Sequence, residues 1–229
     1  LFVRERKEDG PRELAISDPS SAAPKNRAFW ILLATLFLGA MSTTGVITQL
    51  SALLTDRGIK ASEAGYAVAA AGAASFTGRI VTGWFLDRFF APRVGMVLLF
   101  TTATGLYLLT TAQTLPAAIV ASFLIGFSMG GEADVTPYVL GRYFGLRSLG
   151  LLYGWAWTAF AIAAALGSVL LGRAFDHHAT YSGLLSLFAL ATFIAGMLML
   201  AMPQYPENVY TAGSKRSQPT VFITTGEGQ

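Results

Sequence analysis

The sequence predicts an all-α membrane protein built on six transmembrane helices. Three observations carry that prediction. Hydrophobic residues make up 53% of the 229 and charged residues only 13%, whereas about a quarter of a soluble domain is charged. Mean hydropathy is +0.53. Six apolar segments follow one another between residues 28 and 202, each near the ~20 residues that cross a bilayer.

The first 27 residues are polar and mixed in charge. Arg4, Arg6, Lys7, Arg12, Lys25 and Arg27 stand against Glu5, Glu8, Asp9, Glu13 and Asp18, and Pro11, Pro19 and Pro24 interrupt any helix. This composition predicts a solvated linker. It contains no apolar core of a signal peptide. Leu1-Phe2-Val3 reads as the end of something upstream, so a longer protein is expected.

The six segments are expected at 28–54, 62–86, 94–112, 116–140, 148–172 and 182–202. In lipid the backbone must satisfy its own hydrogen bonds, so each is helical. Residues 203–229 are polar, carry Pro203, Pro206 and Pro219, and form a tail.

Orientation follows from Lys and Arg in the connections. Twelve fall on the side of the N-terminal arm, the second-to-third and fourth-to-fifth turns and the tail. Three, Arg57, Lys60 and Arg173, fall on the other. This puts both termini in the cytoplasm, and an even number of spans requires them to share a side. Gly and Ala crowd the second, fourth and fifth segments, where small residues let membrane helices approach closely.

Arg79, Glu132 and Asp134 lie well inside apolar segments. Ionisable residues there are costly, and they pair or line a cavity. Arg79 is 17 residues past the start of the second segment and Glu132 is 16 past the start of the fourth. Both segments run in the same direction, so at ~1.5 Å per residue the two sit at nearly equal depth. An ion pair can hold two helices together, or Arg79 can face a central pathway and bind a carboxylate through two parallel donors. Glu132 would then neutralise Arg79 while the site is empty. Glu132 and Asp134 are about 200° apart around a helix and cannot share a face. Asp87 and Arg88 close the second segment, and Arg142 ends the fourth at the same face. There a carboxylate can latch onto Arg142 or the start of the fifth helix.

Gly83-x-x-x-Asp87-Arg88, followed by Arg93, resembles the loop motif of the major facilitator superfamily, without that motif's later glycine. The stretch from Glu132 to Gly154 resembles the fourth-to-fifth junction in the C-terminal half of its monocarboxylate-porter and oxalate:formate-antiporter-like groups. Gly172-Arg-Ala-Phe-Asp176 with Tyr181 resembles their turn before the last helix. The resemblance implies the C-terminal six-helix half of a twelve-helix bundle, itself two groups of three in inverted relation. It makes residues 1–27 a central cytosolic linker, 28–202 the bundle and 203–229 a cytosolic tail. It implies alternating access for a small organic anion, with the missing N-terminal six-helix half as partner.

Arg79 stands four residues before the motif glycine, where these groups carry a substrate-binding arginine. Ser75 stands where monocarboxylate porters can carry an Asp, and the fifth segment lacks the lysine of the oxalate exchangers. One internal cation fits a monoanion better than a dianion. The expected substrate-binding set is Arg79, Glu132, Tyr153 and Trp157, the last two from the cluster Tyr153, Trp155, Trp157 and Thr158. The expected gating set is Gly83, Asp87, Arg88 and Arg142.

The expected site is a bacterial inner (plasma) membrane, with the lipid bilayer as surroundings and no nucleic-acid partner. No enzymatic activity and no cofactor are expected. The chain has no cysteine and two adjacent histidines, His177 and His178, which are too few for a zinc site. Two readings compete. One is a truncated membrane module that only binds a partner half. The other is a rhomboid-type intramembrane serine protease, because Gly126-Phe-Ser128-Met-Gly130 reads G-x-S-x-G. Such a protease needs a histidine deep in a later helix, and His177 and His178 lie in an outer turn.

Overall fold

The computed structural model describes residues 26–178 and 180–205, apart from the side chains at 147, 177 and 178. Most of the linker and tail, and both histidine side chains, lie outside the described residues. Six helices account for nearly everything described: α1 Arg27–Asp56, α2 Ala61–Leu86, α3 Ala91–Thr111, α4 Leu115–Phe144, α5 Leu146–His178 and α6 Ser182–Leu200.

Local chemistry explains the ends. The Asn26 side chain accepts the Ala28 N–H at 2.9 Å and starts α1 as an N-cap does. Gly58, at φ 85°, turns the chain between α1 and α2, a conformation that suits glycine. Pro92 and Pro116 sit in the first turns of α3 and α4, where a missing N–H costs nothing. α3 therefore begins at Ala91, earlier than hydropathy suggests. Gly145, at φ 77°, separates α4 from α5. α5 runs on to His178, so Arg173 lies in a helix rather than a connection.

Among the described residues five helices are long and apolar enough to cross a membrane; α2 is not among them. Its 26 residues would reach about 39 Å, ample for a bilayer. Its composition falls short because Gly, Ala, Ser and Arg79 replace large apolar side chains. Six spans are thus expected where five meet the criterion.

α2 packs chiefly on α4 and α5 on α1; α3 lies against α4 and α6, and α6 also touches α1. Exchanging α1–α3 with α4–α6 maps this set of pairs onto itself. Both main seams are made by small residues. A Cβ added to Gly78 would run into the Phe127 carbonyl, and one at Gly126 would lie 2.6 Å from Ala71 Cα. On the other seam a Cβ at Gly45 would lie 2.7 Å from the Gly167 carbonyl carbon, and Thr48 and Ser168 share a 3.0 Å hydrogen bond.

The apolar core is divided in two. One cluster holds Phe29, Leu32, Leu98, Val139, Leu152 and Met199, and the other Val46, Leu50, Leu106, Ile125, Leu185 and Phe188. Between them runs a polar layer: Ser42 and Thr43 of α1, Thr102 of α3, and Ser128 and Glu132 of α4. Both described chain ends lie at the first cluster. At the opposite end, Tyr181 donates to Asp56 at 2.8 Å and Arg57 to the carbonyls of Leu109 and Ala112. Burial, then the bond to Asp56, pushes the Tyr181 phenol up to about 12.

Candidate functional site

A cavity of about 140 Å³ opens in the polar layer. α1 lines it with Leu36, Ala40, Thr43 and Thr44, and α2 with Ser75 and Arg79. α4 contributes Met129, Glu132, Ala133 and Thr136, and α5 contributes Tyr153, Ala156, Trp157 and Phe160. Arg79, Glu132, Tyr153 and Trp157 therefore border one space. Ser75 and Arg79 are one turn apart on α2, and Glu132, Ala133 and Thr136 share a face of α4. Asp134 does not line it, as its rotation away from Glu132 requires.

Glu132 is half-buried. Thr102 Oγ1 donates to its Oε1 at 3.4 Å, and its Oε2 lies close to Gly39, 3.4 Å from where a Cβ would stand. Arg79 is exposed on the other wall and forms no ion pair with Glu132. Equal depth brought them to one cavity without fixing their directions around the helix axes. The Thr136 hydroxyl donates to the Glu132 carbonyl at 3.3 Å. Pro137, inside α4, removes the N–H that would reach the Ala133 carbonyl, so the wall beside Glu132 is short of a backbone donor. The aromatic wall is ordered by stacking, with Tyr153 5.8 Å from Trp157 and Trp157 4.9 Å from Phe160. Trp157 is 53% exposed.

Chemically, the space offers one guanidinium, one carboxyl group, several hydroxyls and flat aromatic faces. A cavity of about 150 Å³ holds a benzene-sized ligand, so it has room for about six non-hydrogen atoms. Among the described residues no three His, Asp or Glu side chains come together as metal ligands.

The gating residues are placed as follows. Gly83 lies in the last turn of α2 and Asp87 caps its end, exposed. Arg88 stacks on the Trp84 ring at 4.0 Å. Arg142 donates to the Tyr138 hydroxyl at 3.0 Å and lies 6.0 Å from the Tyr205 ring. Asp87 makes no ion pair with Arg142, whose guanidinium is turned to these aromatic partners. Tyr205 also accepts the Ala91 N–H at 3.2 Å, which ties the exit of α6 to the start of α3. Ser128 of the G-x-S-x-G run is fully buried and donates to the Leu98 carbonyl at 2.8 Å. Gly126 and Gly130 press on the backbone of α2 at Ala71 and Ser75.

The Major Facilitator Superfamily profile matches residues 1–168. The chain belongs to the major facilitator superfamily. No curated protein matches it. As a member it is an integral membrane transporter of small substrates, and its all-helical fold with five candidate spans agrees.

Sequence reasoning missed the α1 wall and Thr102. Thr43 and Thr44 carry no charge and sit among other small residues. A signal was available: both lie at the midpoint of α1, one to two turns along the face of Leu36 and Ala40. The Thr44 hydroxyl is buried without a hydrogen-bond partner among the described residues.

Proposed function

We propose that this chain is the C-terminal half of a secondary active transporter that moves a small organic anion, a monocarboxylate, by alternating access. The observation that carries the reading is the cavity where Arg79 of α2, Glu132 of α4, and Tyr153 and Trp157 of α5 meet. A planar guanidinium offers a carboxylate two parallel donors. Stacked aromatic faces suit the apolar remainder of a small acid. The volume accommodates a molecule of three or four carbons. One cation against one carboxyl group leaves the cavity without surplus positive charge, which favours a monoanion over a dianion.

The helix pairing supports an inverted 3+3 repeat, since exchanging the two triplets preserves it. Gly65 and Gly72 of α2, and Gly150 and Gly154 of α5, have open space where a Cβ would point. These faces flank the exposed Arg79 and Trp157. A second six-helix half would cover them and close the cavity, in a bacterial inner membrane with both termini cytoplasmic. Arg79 and Asp87 lie about 12 Å apart along α2, so a rigid helix would join the site to the cytosolic gate of Gly83, Asp87, Arg88 and Arg142.

A module that only binds its partner half is the competing reading, and expression with and without that half separates the two. The protease reading loses support from the buried, hydrogen-bonded Ser128, and we read the chain as non-enzymatic. The test is uptake of radiolabelled formate, acetate and lactate by proteoliposomes containing the full-length gene product. Arg79→Ala should lower uptake roughly 100-fold, the loss of two charge-assisted hydrogen bonds. Arg79→Lys should also be poor, because an ammonium lacks the planar fork. Near-normal uptake in Arg79→Ala would remove the binding role.

A further inference from the structure

We propose that the groove between α2 and α3 is a binding site for one anionic phospholipid, with an acyl chain in the groove and the phosphate on Arg93. This site is independent of what the central cavity carries. α2 and α3 are consecutive, yet they touch each other sparsely and each leans on α4 instead. The gap between them is a groove of about 250 Å³. α2 and the turn after it wall the groove with Val81, Phe85 and Phe89, α3 with Arg93 and Val97, and α4 adds Phe127. A cavity of about 150 Å³ holds benzene, so at the same packing this one holds about ten non-hydrogen atoms.

The groove opens away from the central cavity. Val81 and Phe85 are two and six positions beyond Arg79, which places them about 200° and 240° around α2 from it. Gly65 and Gly72, on the face proposed to meet a second half, lie within about 40° of Arg79. The groove is therefore turned to lipid. Val81 and Phe89 are eight positions apart, about 12 Å along the axis, most of the ~15 Å that one leaflet of hydrocarbon measures.

Among the described residues Arg93 is the one charged side chain in the groove walls. It is exposed, and its guanidinium has no partner among the described residues. Asp87, the acid of the same turn, stands about 80° from Arg79 around α2 and so points away from Val81 and Phe85. Arg88 is taken up by the Trp84 ring at 4.0 Å, and a Trp beside basic residues marks the level of the headgroups. Bulk lipid fills an apolar groove without regard to headgroup. A free guanidinium at the mouth adds selection, because a phosphodiester takes two of its donors and an anionic headgroup brings no cation to repel it. Phosphatidylglycerol meets both conditions. Phosphatidylcholine carries an ammonium and has no net charge.

The full-length gene product in phosphatidylcholine nanodiscs tests this. Phosphatidylglycerol and phosphatidylcholine probes with the same photoreactive acyl chain are added in equal trace amounts, and crosslinked peptides are mapped. In the wild type the phosphatidylglycerol probe should label residues 81–89 and 93–98 about fivefold more than the other, the worth of one arginine beside a headgroup. Arg93→Gln should label equally with the two. Lys60→Gln, which removes a positive charge at the start of α2, the opposite end, should keep the preference. Val97→Trp fills the groove and should lower labelling by both probes; should it not fold, the two-probe comparison in the wild type decides alone.

Equal labelling by both probes in the wild type would overturn the inference, as would a preference that survives Arg93→Gln. A second copy of the chain seated in the groove would exclude both probes from these residues and overturn it too. Displacement of the phosphatidylglycerol probe by free glycerol phosphate would make the ligand a soluble phosphate and overturn the lipid assignment.

Discussion

The seam between α2 and α4 should be the most sensitive point of the fold, and its failure should reach the cavity. In Gly126→Ala the new Cβ would lie 2.6 Å from Ala71 Cα and 2.7 Å from its carbonyl carbon. In Gly130→Ala it would lie 2.9 Å from Ser75 Cα. These are backbone atoms and cannot rotate aside. Ordinary carbon contacts are about 3.5–4.0 Å, so the helices must part by about 1 Å. Overpacking of this kind costs about 1–3 kcal/mol per site, offset by about 1 kcal/mol from the better helix propensity of Ala.

Over the two sites the double variant should therefore lose about 2 kcal/mol, within a span of about 0–4. That corresponds to a fall in Tm of about 5 °C at this chain size, read by fluorescence-detected thermal unfolding in detergent. Arg79 rides on α2 and Glu132 on α4, so the same 1 Å shift misplaces one against the other. A displacement of that size costs on the order of 100-fold where geometry matters, and uptake should fall at least tenfold by the same reasoning. Gly141→Ala is the control, since its Cβ would meet only Leu146 Cδ2 at 3.8 Å. It should be neutral or slightly stabilising. A double variant with wild-type Tm and full uptake would refute the reasoning.

Two further outcomes are expected. Tyr181→Phe removes the hydroxyl that bonds Asp56 and should lower stability by about 1 kcal/mol, with the loss visible as faster hydrogen exchange at the α1–α6 end; unchanged exchange there would make the clasp dispensable. Ser128→Ala deletes a buried donor to the Leu98 carbonyl and should cost about 1 kcal/mol while retaining transport, whereas a serine protease would lose all activity.

Much of this was legible because lipid makes few demands, and they are strict. An apolar run of the right length must be helical, so the helices stood out. A charge inside such a run is conspicuous, so Arg79 and Glu132 stood out, and counting along the helices put them at one level, where they line one cavity. What stayed hidden has physical causes. Thr43 donates to the carbonyl of Gly39 one turn back, at 2.6 Å, as Thr104 does to Phe100 at 2.8 Å. In sequence a cavity-lining threonine is thus indistinguishable from one that merely satisfies itself. Depth along a helix could be counted, but the direction a side chain takes around the axis could not, which is why Arg79 and Glu132 share a space without pairing. Asp87 and Arg142 likewise end neighbouring helices at one face, but Trp84, Tyr138 and Tyr205 occupy the adjoining cations.

The same physics explains why the most extensive seam belongs to α2. This helix carries the cavity's cation and is the one of the six described helices not apolar enough to rank as a candidate membrane span. As far as Gly78 its buried face is Ala64, Ala67, Ala71, Ala74 and Gly78, with Thr82 and Leu86 beyond, and the alanines and glycine are too small to gain much from leaving water. Hydrophobic transfer cannot hold such a helix firmly, and among membrane helices that driving force is weak in any case. Close backbone contact can, because dispersion grows with the number of atoms brought to van der Waals distance. Gly126 and Gly130 of α4 provide that contact at Ala71 and Ser75, and Arg79 lies one turn beyond Ser75. The small residues that lower the hydropathy of α2 are therefore what lets it carry a charge at membrane depth in a fixed position. Larger apolar residues would make a more convincing span in sequence and a looser mount for the guanidinium.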